Sequence, residues 1–343
     1  MSANIEYSTG IDPATLVELG AGGEGRVYEF TDNPELVYKE YFVRSQTSPN
    51  PEALTRLIDL PDSWSVAERK WFETRTVWPK TAVFDHDRLR GYIMKRIPET
   101  CRRLHGIRKK PRSVLCDWNF LSLRNRYRSN TNLISDIPDL GTADITQLVI
   151  DLAKTIAFLH EHGVIIGDLS GRNLIWTNQP SLYVMLIDCD GFRIRGSSGV
   201  NYTKQTPDWI DPAVKGSTNQ QSDIYKLSLA AFRAIWGAGT DLPPTGIAGF
   251  EAPPHAPAKL PSLIARSIAT SQRPTAAQWV QELTESQPLV PPPSSSPKRV
   301  RHPARPRSRN LRSRMARLTG TRARCSSWLP CRLPAPTRST AIC

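Results

Sequence analysis

Three polar side chains in this sequence stand in an order suited to phosphoryl chemistry. Asp168 precedes Asn173 by five positions in His162-Gly163-Val164-Ile165-Ile166-Gly167-Asp168-Leu169-Ser170-Gly171-Arg172-Asn173, and Asp188 follows fifteen positions later. An Asp in such a loop can orient an attacking hydroxyl and accept its proton, while the Asn can hold a metal ion. Asp188 ends the apolar run Leu182–Ile187 and lies close to Asp190. An acid at a strand end beside a second acid suits Mg2+, which takes oxygen ligands and keeps several waters. Asp190-Gly191-Phe192 is an alternative place for the metal-binding acid, but the end of the strand at Asp188 favours Asp188.

Upstream, Gly20-Ala21-Gly22-Gly23-Glu24-Gly25-Arg26-Val27 is followed twelve residues after Val27 by Lys39 in Leu36-Val37-Tyr38-Lys39. Strand-like residues flank the glycines on both sides, so they form a hairpin tip and do not open a helix. Such a tip lets backbone N–H groups approach phosphates, and a lysine one hairpin later can reach them. That lysine needs an acidic partner. Glu68, on a helix beginning near Ser63, is the choice, with Glu52 and Glu73 as alternatives. Ser65-Val66-Ala67-Glu68 also matches a capping box, which would commit Glu68 to its own helix.

The elements that must position these residues fall into a strand-rich first part and a helix-rich second part. Residues 15–97 alternate like strands, apart from 51–75, where helical spacing is interrupted at Leu60-Pro61-Asp62. Leu148, Leu152, Ile156 and Leu159 recur at the spacing of a buried helical face, and Gly163 ends that helix. Two short strands, around Val164–Ile166 and Leu182–Ile187, frame the Asp168–Asn173 loop. Further helices are expected over 222–237 and 275–285. His160 and His162 sit at a helix end, where they suit the helix terminus better than catalysis.

The formal charge of +13 is localised. From Gln287 onward there are one Lys, twelve Arg and no acids, which leaves 32 basic against 32 acidic residues in the body. The Pro-, Ser- and Arg-rich segment 287–343 is expected to be disordered. It could contact nucleic acid non-specifically through phosphates, but its single aromatic, Trp328, provides no stacking platform. The six cysteines form no CxxC pair, which argues against structural zinc and for reduced thiols. No apolar run spans a bilayer and no secretion signal is evident, so a soluble, cytoplasmic chain without membrane contact is expected.

Glycine loop, strand Lys, Asp-x4-Asn and strand-end Asp together resemble the protein-kinase superfamily over residues 15–286. The chain is most similar to divergent bacterial eukaryotic-like Ser/Thr kinases with a Gly-Asp catalytic loop. That resemblance implies an α+β, bilobal, protein-kinase-like fold, with a small β-rich lobe over 15–97 and a larger helical lobe over 98–286. It implies ATP and Mg2+ as cofactors. Gly20, Gly22 and Gly25 would cover the phosphates, and Lys39 would hold them. Leu19, Val27, Val37 and Ile175 would sandwich adenine, with Met94 as gatekeeper and Lys95–Ile97 as hinge. Asp168 would be the catalytic base, and Asn173 and Asp188 the metal ligands. The implied activity is transfer of the ATP γ-phosphoryl group to protein Ser or Thr. A pseudokinase scaffold and a small-molecule kinase stay open as alternatives. By family resemblance the partners would include a PP2C-type phosphatase and a von Willebrand A-like protein. Four positions depart from the family pattern: Ile166-Gly167 replaces the usual His-Arg, Ser170 a lysine, Asp190 a glycine, and Ala213 a glutamate that would otherwise pair with Arg273.

Overall fold

Alternating and apolar runs produce one six-stranded sheet in the N-terminal part of the chain. The computed structural model describes residues 5–7, 10–42, 48–107, 110–201, 205–246, 248–269 and 272–286. Strands β1 (Ile5–Tyr7), β2 (Leu16–Ala21), β3 (Gly25–Phe30), β4 (Leu36–Tyr41), β5 (Pro79–Asp85) and β6 (Arg88–Lys95) lie in the order β1-β5-β6-β4-β3-β2. β1 pairs parallel to β5, so the folded part begins earlier than residue 15. All the other neighbours are antiparallel. Gly25 makes the β3–β4 pairing possible, because a Cβ there would lie 2.1 Å from the Glu40 carbonyl oxygen.

Register decides what this sheet presents. Lys39 lies opposite Val27 on one side and Tyr92 on the other, and Val37 lies opposite Met94. Directly opposed residues share a face. One face therefore carries Val27, Val37, Lys39, Tyr92 and Met94, with Tyr41 two residues beyond Lys39 on the same side.

Helices α1 (Pro51–Asp59) and α2 (Val66–Phe72) run between β4 and β5. Asn50 caps α1 and Pro51 starts it; Leu60 and Pro61 open the 3-10 turn that ends it, as the sequence predicts. Trp64, Trp71 and Phe72 then pack on Phe158, fixing α2 against the following helical part.

That part begins with a small sheet unforeseen in the sequence. It comprises β7 (Arg102–Ile107), β8 (Arg112–Leu115) and β9 (Leu133–Ser135), with α3 (Asn119–Ser122) and α4 (Arg124–Arg128) between the last two strands. α5 (Thr142–Glu161) follows, and its predicted face of Leu148, Leu152, Ile156 and Leu159 is completely buried. β10 (Val164–Ile165), β11 (Leu174–Thr177), β12 (Tyr183–Leu186) and β13 (Arg193–Ile194) form two short antiparallel pairs, β10 with β13 and β11 with β12. α6 (Gln220–Trp236) is buried from Ser222 to Ile235, and α7 (Leu260–Ile268) and α8 (Ala276–Glu285) pack around α6 and α5. The molecule is thus α+β, a β-rich N-terminal sheet followed by a helical part.

The two parts share backbone hydrogen bonds. Val77 N–H donates to Leu186 O, and Leu186 N–H donates to Arg75 O, both at 2.8 Å. Among the described residues no helix is long and apolar enough to cross a membrane. The basic segment 287–343 lies outside the described residues.

Candidate functional site

The β11–β12 hairpin sets the centre of the site. Leu174 pairs with Leu186, and Ile187 N–H continues the ladder to Asn173 O at 3.0 Å. Asn173 and Asp188 therefore emerge together at one end of the hairpin. Asp188 has φ 54° and ψ 42°, a left-handed conformation uncommon outside glycine. It turns the carboxylate, 55% exposed, out of the strand, while the chain folds back to bury Cys189 and Asp190. Strain of this kind concentrates where a side chain must be aimed.

Asp168 stands beside this pair. Asn173 Nδ2 donates to the Asp168 carbonyl at 2.9 Å and to its Oδ2 at 3.3 Å. That leaves Asn173 Oδ1 as an acceptor at the same end of the hairpin as Asp188, and both side chains offer oxygens of the kind a hard cation takes. Thr206 donates its N–H and its hydroxyl to Asp168 Oδ1, at 3.0 and 3.1 Å. Below the loop, the buried Asp223 carboxylate accepts the N–H groups of Ile166 and Gly167, each at 2.9 Å, and meets His160 Nε2 at 3.1 Å. His162 bonds the Phe158 carbonyl and packs on Trp64. Both histidines thus hold the end of α5, as expected.

Lys39 reaches the same centre from the sheet. Its Nζ lies 3.3 Å from Asp188 Oδ1, and 2.9 and 3.2 Å from the two oxygens of Asp190. Asp190 has no exposed surface, and it also accepts the hydroxyls of Tyr41 at 3.0 Å and Tyr92 at 2.7 Å. Burial alone would depress the Lys39 ammonium, but the charges of Asp190 and Asp188 outweigh it and hold the group above the ordinary lysine value. Burial, reinforced by Asp190, pushes the Tyr41 and Tyr92 phenols well above theirs. The Cys189 thiol is also pushed up by burial, which makes it an inert core residue.

The expected Glu68 partnership is corrected here. Glu68 accepts Ser65 N–H at 2.8 Å, and Ser65 Oγ accepts Glu68 N–H at 3.2 Å: the capping box is formed. The Glu68 side chain lines a surface hollow with Trp71, Lys154 and Phe158, away from Lys39. A seven-residue α2 held at its start by this cap and along its length by aromatic packing leaves Glu68 no route to the sheet face. The acid that holds Lys39 is Asp190.

The other predicted residues separate clearly. Gly20, Gly22 and Gly25 do form a hairpin tip, with Gly22 N–H donating to Gly25 O at 2.9 Å. Val37, Met94 and Ile175 are buried in a common core, and Val27 and Ile97 pack against it. Leu19 lies on the edge strand β2 and is 42% exposed. Arg273, whose expected glutamate is absent, forms a buried bidentate ion pair with Asp211.

No protein-family model matches the chain. No curated protein matches it significantly.

Tyr41 and Tyr92 were not foreseen in the sequence. Only Tyr41 left a signal, as it stands two residues from Lys39 on one strand face.

Proposed function

We propose that this chain is a divergent, bilobal protein kinase that transfers the γ-phosphoryl group of ATP to protein Ser or Thr with Mg2+. The carrying observation is that Lys39, Asp168, Asn173 and Asp188, from separate segments, meet at one centre between the sheet and the helical part. The donor set fits the cation. Among the described residues no group of three or more His, Cys, Asp or Glu could hold a metal. Mg2+ needs only one or two such ligands when phosphates and waters supply the rest. Asn173 and Asp188 would hold it, and when bound it neutralises charge on the phosphates.

The protein's own groups then act by positioning and charge. Asp168 receives the proton of the attacking hydroxyl as its oxygen bonds phosphorus and the bond to the leaving ADP oxygen breaks. Lys39 holds the phosphates; its bond to Asp188 is the longest of the three it makes to Asp188 and Asp190, and the easiest to exchange for a phosphate oxygen. The glycine hairpin supplies backbone N–H groups above them, and Val27, Val37, Met94, Ile97 and Ile175 supply an apolar wall for the base.

One observation favours a second reading, a nucleotide-binding scaffold without transfer. Asp168 Oδ1 is already engaged by both donors of Thr206. Incubation with γ-labelled ATP, Mg2+ and a generic protein substrate separates the two. Label on protein, lost in Asp168→Ala while nucleotide binding persists, supports the kinase. Nucleotide binding without any transfer supports the scaffold.

A further inference from the structure

Two residues of α6, three positions apart and so on one side of the helix, act on a single residue, Gly167, through the two peptide groups that flank it. Asp223 accepts Gly167 N–H, and Lys226 Nζ donates to Gly167 O. Gly167 has φ 77°, a conformation that favours glycine, and Asp168 follows it immediately. Both polar groups of residue 167 are therefore held from beneath by α6.

Lys226 is itself unusual. It is fully buried, and among the described residues its two hydrogen-bond acceptors are neutral: Gly167 O, and Gln205 Oε1 at 3.2 Å. Burying an ammonium on neutral oxygens is unfavourable unless nearby charge compensates. Burial pulls Lys226 below the ordinary lysine value, while Asp168, then Asp223 and Asp211, oppose that shift. Gln205 immediately precedes Thr206, whose N–H and hydroxyl both bind Asp168 Oδ1. One ammonium thus ties down the peptide before Asp168 and the segment that caps its carboxylate. Meanwhile Ser170, two residues after Asp168, is buried and uncharged.

We propose that Lys226 is a positioning residue for Asp168, aiming its carboxylate through Gly167 and Gln205 and placing a positive charge behind it. This rests on the phosphoryl-transfer reading. Lys226 has no exposed surface and does not touch substrate; it acts through the loop.

The test is steady-state kinetics of the full chain carrying Lys226→Met, which keeps an unbranched side chain of similar bulk and removes its charge and its donors. The change leaves the buried Gly167 carbonyl without its ammonium donor and Asp168 and Asp223 without a nearby positive charge, so it costs some stability. The expected result is a folded protein with a lowered melting temperature and an unchanged KM for ATP, with kcat lower by about 100-fold, the scale of a small misplacement of a reacting group. In an Asp168→Asn background the same change should alter the residual rate less than about twofold, since residues acting as a unit are non-additive. Gln205→Leu, which removes one acceptor, should reproduce the kcat loss more weakly and serves as the test if Lys226→Met does not fold. Wild-type kcat in these variants, or an equal loss with and without Asp168, overturns the inference while leaving the kinase reading intact. A wild-type chain that transfers no phosphoryl group overturns both.

Discussion

A buried lysine needs a counter-charge, and the residue supplying it decides how the site is controlled. Here Lys39 is held by Asp190, two residues from Asp188, so the turn after β12 and the lysine of β4 form one unit with Tyr41 and Tyr92. Asp190→Ala should remove nucleotide binding and destabilise the fold by about 3–5 kcal/mol, because a buried charge loses its partner. Denaturant melts and a nucleotide titration measure both effects. Glu68→Ala should leave nucleotide affinity unchanged; a tenfold loss would restore Glu68 as the partner. The tyrosines carry a pH signature. Their folded values are raised, so the stability they contribute is complete below about pH 10, the unfolded value, and is lost as pH rises through the folded value. Stability should therefore fall above about pH 10, and Tyr92→Phe should flatten the slope by up to about 1.4 kcal/mol per pH unit, read from urea melts between pH 9 and 11. None of this pairing was legible in the sequence. Lys39 and Asp190 lie 151 residues apart, and their meeting depends on a left-handed turn at Asp188 that residue types alone do not announce. The position of Asp188 itself was legible, since the apolar strand ends there.

Elements place these residues as a scaffold of two supports. The sheet carries Lys39 on its inner face through register, and the β11–β12 hairpin carries Asn173 and Asp188 side by side. Gly25→Ala should disrupt the β3–β4 pairing, since its Cβ would overlap the Glu40 carbonyl, and should weaken nucleotide binding together with stability. A variant with wild-type melting and affinity would contradict that role. α5 was read from its apolar spacing, because core helices bury side chains at regular intervals. The sheet of β7, β8 and β9 escaped that reading. Arg102-Arg103-Leu104-His105-Gly106-Ile107 does not alternate, and Leu104 and Ile107 are exposed in the folded chain. The Arg273–Asp211 pair shows the same limit. The glutamate position is Ala213, but the acid two residues earlier fills the role, a substitution visible only in three dimensions. Asp211→Ala should destabilise by about 3–5 kcal/mol, because it strands a buried guanidinium.

At the scale of the whole molecule, charge and chemistry are separated. The formal +13 lies within 287–343, and the groups proposed for phosphoryl transfer lie in the neutral remainder. Deleting 287–343 should leave phosphoryl transfer intact and weaken salt-dependent retention on DNA; loss of transfer would assign the tail a catalytic role. The most direct measurement of the central claim is phosphosite mapping of the full chain after incubation with ATP and Mg2+, beside Asp168→Ala. Phosphorylated Ser or Thr in the wild type, absent from a variant that still binds nucleotide, is the predicted result. Equal phosphorylation in both proteins, or none in either despite nucleotide binding, would contradict it.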